Sequence, residues 1–186
     1  MTRIAWLVLI VGLAPLAIIP SVARAVAATS LLELHYAPAE NLEVLDVAMI
    51  GAAEFSLDMA AFCLTDRAVI AALVAARTRG VEVRIVLDPS QRHAWPELQA
   101  LGDSVRVRHK GPLMHLKTYL VDGQTLRTGS ANFTASGLKH QDNDLAIAVD
   151  DALALHFEAG FNRGWDYQTA APPDAMAAGA PASRVQ

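Results

Sequence analysis

The residues of this chain that could carry chemistry are concentrated between His115 and Asn132. His115 and Lys117 lie two positions apart in an apolar run, and side chains two apart on a strand project from the same face. Ser130 and Asn132 share that spacing after an Asp-Gly pair, which is a strong β-hairpin signal. The hairpin is expected to bring the second pair beside the first, so that an imidazole, an ammonium group, a hydroxyl and an amide converge on one pocket.

This set of groups is suited to a phosphodiester. A lysine offers positive charge to the non-bridging oxygens, and serine and asparagine offer neutral donors. Histidine acts as a nucleophile or a proton carrier near neutral pH. The sequence places no acidic metal cage beside them, so Lys117 would stabilise developing charge in place of a metal ion. The structural alternative, a core histidine beside a solvated lysine, explains each residue singly but not the set.

The same stretch matches the spaced signature H-x-K-x4-D-x6-G-S-x-N at every defined position. The matching residues are His115, Lys117, Asp122, Gly129, Ser130 and Asn132. The chain therefore resembles the phospholipase D superfamily over about residues 31–168. Its length, single motif copy and N-terminal segment resemble the small secreted bacterial endonuclease branch, which is itself similar to the mitochondrial cardiolipin hydrolase type.

The resemblance implies a phospholipase D-like domain that uses no cofactor and no metal, and a homodimer that completes one active site from two motifs. One His115 would attack phosphorus and form a phosphohistidine, and His115 of the partner subunit would protonate the leaving oxygen and then activate water. Lys117 and Asn132 would hold the phosphoryl oxygens, with Ser130 assisting. Asp122 belongs to the motif, but its opposite strand parity to His115 favours a structural or orienting carboxylate over a proton carrier.

One position departs from the endonuclease branch, which has a downstream carboxylate that supports the active histidine. Here the run is Gln141-Asp-Asn-Asp144, and Asn143 aligns with that carboxylate. An amide gives less support to a protonated imidazole than a carboxylate does. Asp142 or Asp144 could substitute for it, although Asp142 equally suits a solvated turn.

The signature acts on the phosphate and leaves the esterified group open. For a nucleic acid, we expect contacts to neighbouring phosphates from a basic strand face and from the hairpin. The candidate residues are Arg106, Arg108, Lys110 and Arg127. A solvated strand face is the ordinary explanation of such charges. A phospholipid headgroup ester is the alternative substrate, although no basic amphipathic helix of the interfacial kind follows the N-terminal segment. A non-catalytic binding module is the third reading, and the intact motif argues against it. The small size and the dimer logic favour a nuclease.

Composition limits the other possibilities. With 186 residues, 53% of them hydrophobic and 18% charged, the chain is too apolar to be disordered and suggests one domain. The single cysteine, Cys63, excludes an intramolecular disulfide framework and a cysteine-rich zinc site, and its apolar surroundings predict a buried core residue. The formal charge of -4 argues against a protein that coats nucleic acid by bulk charge.

The two ends are expected to lie outside the fold. Arg3, the apolar run 4–19, Pro20 and small residues up to Ala25 predict a cleaved signal peptide over residues 1–25, with an uncleaved anchor and a buried core helix as the alternatives. Cleavage removes Arg3 and Arg24 and no acidic residue, which changes the charge from -4 to -6. It would leave a periplasmic or secreted protein without a membrane span. The Ala- and Pro-rich residues 169–186 predict a disordered tail.

Between the two ends, residues 30–168 alternate between strand and helix patterns, which indicates an α/β domain with a layered mixed sheet flanked by helices. Strands are predicted over residues 31–36, 54–62, 81–87, 105–109, 116–121, 126–129 and 144–149. Helices are predicted over residues 41–53, 65–79 (with Thr65 as N-cap), 96–101 and 153–165. The last helix carries an apolar stripe at spacing four that predicts core packing, formed by Leu153, Phe157, Phe161 and Trp165.

Overall fold

A computed structural model describes residues 30–91, 93–108, 111–166 and 169–170. The predicted signal peptide and residues 171–186 of the predicted tail therefore lie outside the described residues. Within the described ranges, no helix is both long enough and apolar enough to cross a membrane.

Eight strands form one mixed sheet, which confirms the predicted α/β fold class. They are β1 (Leu31–Ala37), β2 (Ser56–Ala61), β3 (Glu82–Leu87), β4 (Val105–Val107), β5 (Lys117–Val121), β6 (Thr125–Gly129), β7 (Asn143–Val149) and β8 (Thr169–Ala170). Their order across the sheet is β1-β7-β6-β5-β2-β3-β4-β8. The central strands β2, β3 and β4 are parallel, and the other neighbours pair antiparallel. The seven predicted strands are all present, with ends within two residues of the prediction.

The helices begin where side chains can cap them. They are α1 (Leu42–Ala52), α2 (Arg67–Thr78), α3 (Trp95–Leu98), α4 (Ala135–Lys139) and α5 (Asp151–Asp166), and a 3-10 segment covers Gln99–Ser104. Asn41 caps α1 by accepting the Glu43 N–H, and Asp66, not the predicted Thr65, caps α2. Helix α4 was not predicted, because five residues are too few to show a helical period.

The two faces of the sheet are covered unequally. Helices α1 and α2 pack on one face, which we call the α1/α2 face, over the main core around Leu57, Ile85 and Leu73. Among the described residues, α5 is the one helix that packs on the opposite face, the α5 face, where Phe161 meets Val86. The unequal cover leaves part of the α5 face towards β1 exposed.

One strand differs from the prediction, whereas the predicted hairpin is present. Strand β8 is formed by the first two residues of the segment predicted as a disordered tail, and it pairs with Arg106 and Val107 of β4. The hairpin between β5 and β6 agrees with the Asp-Gly signal, since Asp122 and Gly123 both have positive φ, of 52° and 65°. The register of this hairpin sets Tyr119 opposite Arg127.

Candidate active site

His115 and Lys117 form one hydrogen-bonded unit at the start of β5. His115 is exposed, whereas Lys117 is 4% exposed. The Lys117 ammonium donates to the backbone oxygen of His115 at 2.8 Å, and its Nζ lies 3.1 Å from the ring Nδ1. Since an ammonium group can only donate, Nδ1 accepts and the ring proton of a neutral His115 lies on Nε2. The two-residue spacing therefore brings both groups together as the sequence predicts.

Phe62, which the sequence analysis did not single out, supports this unit. Its ring centroid lies 4.4 Å from that of His115 and 4.6 Å from Lys117 Nζ. Its backbone N–H donates to the oxygen of Leu116 at 2.7 Å, which fixes the end of β2 to the start of β5. Burial lowers the pKa of Lys117. The next residue, Cys63, is only half-buried, contrary to the prediction of a core residue, and burial raises its pKa while Lys117 acts in the opposite direction.

The second half of the motif is held against β7. Gly129 has φ of 143°, and a Cβ there would lie 2.4 Å from the backbone oxygen of Asp144, so only glycine fits. Ser130 Oγ donates to Asn143 Oδ1 at 3.0 Å and accepts from the Asp144 N–H at 2.9 Å. The Ser130 N–H donates to Asp144 Oδ1 at 3.2 Å. Ser130 is thus locked to the start of β7.

The three candidates for support of the histidine occupy different positions. Asn143 donates to the oxygen of Gly137 at 3.0 Å and to Gln141 Oε1 at 3.2 Å, so its described partners tie it to Ser130 and α4 and not to His115 of the same subunit. Asp144 lies beside Ser130, and Asp142 is exposed in the turn before β7.

Asn132 is half-buried, and its Oδ1 atom is buried without a hydrogen-bond partner among the described residues. A buried polar atom without a partner costs roughly 1–3 kcal/mol. This cost makes the amide a candidate for contact with a substrate or with a second subunit.

Arg127, predicted as a substrate contact, is instead part of the core, and that prediction is wrong. It is fully buried and forms a bidentate pair with Asp46, with distances of 2.9 Å and 3.1 Å. Its Nη1 also donates to the backbone oxygens of Lys117 and Ala131, at 2.7 Å and 3.3 Å. Arg127 lies here because the hairpin register places it opposite Tyr119 on the α1/α2 face. The guanidinium therefore connects the two halves of the motif through hydrogen bonds to their backbone.

Asp122 lies at the other end of β5, away from Lys117. Its carboxylate accepts the backbone N–H groups of Glu54, Phe55 and Ser56, with distances between 2.7 Å and 3.3 Å. Partial burial acts to raise the pKa of Asp122, but the three backbone donors outweigh it and hold the pKa below its usual range. The structure brings the other four polar motif side chains to one end of the hairpin and Asp122 to the opposite end.

The described arginines of the predicted basic strand face have different surroundings. Arg106 stacks on Trp165 with its guanidinium 3.9 Å from the ring centroid, and it donates to the Trp165 oxygen at 2.8 Å. These contacts hold the half-buried Arg106 guanidinium against the end of α5, and its role as a substrate contact stays a prediction. Arg108 is half-buried over Gly111, between a cavity of about 480 Å³ under α5 and one of about 200 Å³ beside Asp88. Lys110 lies outside the described residues.

Comparisons with known proteins identify the family. A family model described as a cardiolipin synthase, PLD-like domain, matches residues 47–165. A mitochondrial cardiolipin hydrolase from Chlamydomonas reinhardtii is 27% identical over 138 residues, which cover 72% of this chain and 61% of that protein. A phospholipase D from Rickettsia conorii is 36% identical over 109 residues, which cover 56% of this chain and 54% of that protein. The chain thus spans about half to three-fifths of the length of these relatives.

A solved structure supports the same assignment. The crystal structure of a phospholipase D family member, Nuc from Salmonella typhimurium, matches with a TM-score of 0.70 at 28% identity, and the match covers 76% of this chain and 98% of that one. The family model covers more than half of the chain and includes the whole motif. The spaced motif, the fold and the family match agree, and the chain belongs to the phospholipase D superfamily.

Proposed function

We propose that this protein is a phosphodiesterase that cleaves nucleic acid as an endonuclease through a phosphohistidine at His115. The observation that carries the proposal is the exposed His115 ring held by the buried Lys117 at the same end of the hairpin as Asn132. A nucleophile, a cation and an amide on one sheet end suit attack on phosphorus.

The reaction has two steps. Nε2 of His115 attacks phosphorus as the P–O bond to the leaving group breaks, and His115 of the partner subunit gives its proton to the leaving oxygen. Water then attacks the phosphohistidine, gives a proton to the same partner histidine, and the P–N bond breaks. For Nε2 to attack, Lys117 must release Nδ1 and turn to a phosphoryl oxygen, so that the ring proton can move to Nδ1. Asn132 would hold a phosphoryl oxygen through its amide N–H, and Ser130 would fix the loop beside it.

Asp142, Asp144 and Asn143 are weaker candidates for support of His115. Asn143 and Asp144 lie at the start of β7 and are bound to Ser130 of the same subunit, and Asp142 directly precedes them. We propose that any such support comes from the partner subunit.

A second copy of the chain is needed because one subunit carries one motif, and a twofold axis places the same residue of each subunit opposite itself. The exposed part of the α5 face supports this proposal. Leu32, Leu34 and Tyr36 of β1 are 64%, 52% and 54% exposed, and they continue across Ala146 and Ala148 on the same face. An apolar strip on an edge strand is a liability in a monomer.

Mixing wild-type chains with His115→Ala chains tests the composite site. In an equal mixture refolded together, about a quarter of the dimers contain two wild-type histidines. If only these dimers turn over, the mixture has about a quarter of the activity of an equal amount of wild-type protein, whereas independent subunits would give about half. Leu34→Glu should release monomers in light scattering and remove activity together. Retention of half the activity would contradict the composite site.

Two substrate classes remain distinguishable by experiment. An exposed histidine just before β5 can accept a chain that runs past the site, which favours nucleic acid, and we propose that Arg108 contacts a neighbouring phosphate. The second candidate is a phospholipid headgroup ester. It is favoured by Leu113 and Leu116, 60% and 50% exposed on either side of His115, and by relatives named for lipid hydrolysis.

The deciding assay offers single-stranded DNA, duplex DNA, RNA and phosphatidylcholine vesicles in parallel, with chelator present and His115→Ala as control. Cleavage of nucleic acid that the variant loses supports the nuclease. Headgroup release without nucleic-acid cleavage would move the assignment to phospholipase D. Hydrolysis that persists in His115→Ala would overturn the mechanism, and turnover that needs added metal would overturn the metal-independent scheme.

We also propose export to the periplasm or the medium, based on the predicted signal peptide over residues 1–25. The mass of the protein recovered from the periplasm or medium should correspond to a chain that begins at Val26. A full-length chain in the membrane fraction would favour the uncleaved anchor.

A further inference from the structure

We propose that Asp88 and His93 are positioning residues that fix the two halves of the motif relative to each other through buried hydrogen bonds. Neither belongs to the signature, and both are buried, at 2% and 8% exposed. The inference rests on the proposed function, because it concerns the same active site.

The first link runs from Asp88 to the loop that carries His115. Asp88 follows β3, and its Oδ2 accepts the backbone N–H of Met114 at 2.9 Å. Its Oδ1 accepts the backbone N–H of Ser90 at 2.9 Å and the hydroxyl of the same residue. Met114 directly precedes His115 in a segment without regular secondary structure, so this carboxylate fixes where the loop enters β5.

The second link runs from Asp88 through His93 to Leu64. Nδ1 of His93 accepts the Leu64 N–H at 3.3 Å, and Nε2 lies 2.8 Å from the backbone oxygen of Asp88. A backbone N–H can only donate, so Nδ1 is unprotonated and Nε2 donates to Asp88. Burial lowers the pKa of His93, which agrees with this neutral ring.

The third link joins Leu64 to the second half of the motif. Leu64 forms an isolated bridge with Phe133, the residue after Asn132. The N–H groups of Thr65 and Asp66 both donate to the Phe133 oxygen at 2.9 Å. A continuous path of buried contacts therefore runs from the residue before His115 to the residue after Asn132.

This path matters because nucleophilic attack depends on geometry. A misplacement of about 1 Å can lower a rate by about a hundredfold. Asp88 and His93 act on the reaction through the backbone of other residues. Their loss is expected to reduce kcat more than substrate binding, which distinguishes positioning from phosphate contact.

The test compares Asp88→Asn with Asp58→Asn, using bis(p-nitrophenyl) phosphate, a diester that does not depend on the natural substrate. Asp58 is a buried carboxylate paired with Arg84 on the α5 face, so its loss destabilises the fold away from the motif. We expect Asp88→Asn to lower kcat about tenfold or more with KM within about twofold, and Asp58→Asn to lower the unfolding midpoint with kcat nearly unchanged.

A second pair of variants covers the case in which Asp88→Asn fails to fold. His93→Asn keeps an acceptor for the Leu64 N–H, whereas His93→Leu removes it, so His93→Asn should retain more kcat than His93→Leu at equal folded fraction. Equal kcat in these two variants, or an equal kcat loss in Asp88→Asn and Asp58→Asn, overturns the inference.

An NMR measurement separates this inference from the proposed function. In the full chain, the imidazole resonances of His115 should shift in Asp88→Asn and not in Asp58→Asn, whether or not the wild type hydrolyses the diester. Unchanged His115 resonances in a folded Asp88→Asn protein would refute the positioning role. Absence of wild-type hydrolysis with shifted resonances would refute only the proposed function.

Discussion

Replacement of Arg127 by methionine tests whether this arginine holds the fold or binds substrate. The side chain and its partner Asp46 are both fully buried, and the change leaves the carboxylate without its bidentate partner. Burial raises the pKa of Asp46 and the ion pair opposes that rise, so loss of the arginine exposes the full cost of burying this charge. Removal of one member of a buried pair costs about 3–5 kcal/mol.

The measurement is urea unfolding followed by circular dichroism. For an m-value of about 2 kcal/mol/M, a loss of about 3–5 kcal/mol lowers the midpoint by about 1.5–2.5 M. Asp46→Leu combined with Arg127→Met should cost less than the two single changes together, with a coupling of about 1–3 kcal/mol. This smaller cost follows because the double variant buries no unpaired charge.

Arg67→Met is the matched control. Arg67 forms an ion pair with Glu97 but is 86% exposed, so its replacement should leave the midpoint nearly unchanged. An unchanged midpoint in Arg127→Met, together with a raised and salt-dependent KM for a polynucleotide, would refute the structural role and restore Arg127 as a substrate contact.

Three further predictions follow from individual contacts. Gly129→Ala drives a Cβ into the Asp144 backbone and should lower both the melting temperature and kcat. Gly123→Ala is the control for backbone strain alone, because Gly123 also has positive φ but has open space around it. Equal effects of the two substitutions would argue against the clash. Asp122→Asn should retain kcat but be less stable than the wild type above about pH 4. The pKa of Asp122 is lower in the folded chain than in the unfolded chain, so the charged carboxylate stabilises the wild-type fold above the unfolded pKa, and this stability is lost as the pH falls through the folded pKa. A variant with the same pH–stability curve as the wild type would refute this. Burial lowers the pKa of Lys117, and only the charged ammonium can donate to a phosphoryl oxygen. As the pH is raised, kcat/KM should therefore begin to fall at a lower pH than that at which ordinary lysines titrate. In Lys117→Arg this alkaline decrease should be absent from the activity that remains.

The exposed strip on β1 and the cavity under α5 have a common origin in the unequal cover of the sheet. Leu153 was predicted to pack in the core with Phe157 and Phe161, yet it is 49% exposed and lines the cavity. The predicted helical period is correct. Within the part of the chain that the structure describes, however, α5 has no neighbouring helix on its face, and only part of its apolar stripe meets the sheet. A sequence pattern shows which side of a helix is apolar, but it does not show how much of that side packs against the sheet.

The seven predicted strands, the longer helices, the hairpin and the motif could all be identified from local residue patterns. Alternation at period two defined the strands, and the Asp-Gly pair defined the turn, because both signals depend on residues within a few positions of each other. The spacing of His115 and Lys117 was sufficient to place them on one side of β5. Local geometry over two residues leaves little freedom, and the hydrogen bond between these side chains follows from it.

The burial and the partners of the charged residues could not be predicted from local patterns. Arg127 and Arg106 are indistinguishable in sequence from surface arginines, yet one pairs with Asp46 81 residues away and the other with Trp165 59 residues away. Phe62, Asp88 and His93 reach the motif because β2 pairs with β5 and β3 pairs with the other side of β2. Burial and pairing across the sheet are set by packing between distant segments, and such contacts leave no periodic signal in the chain.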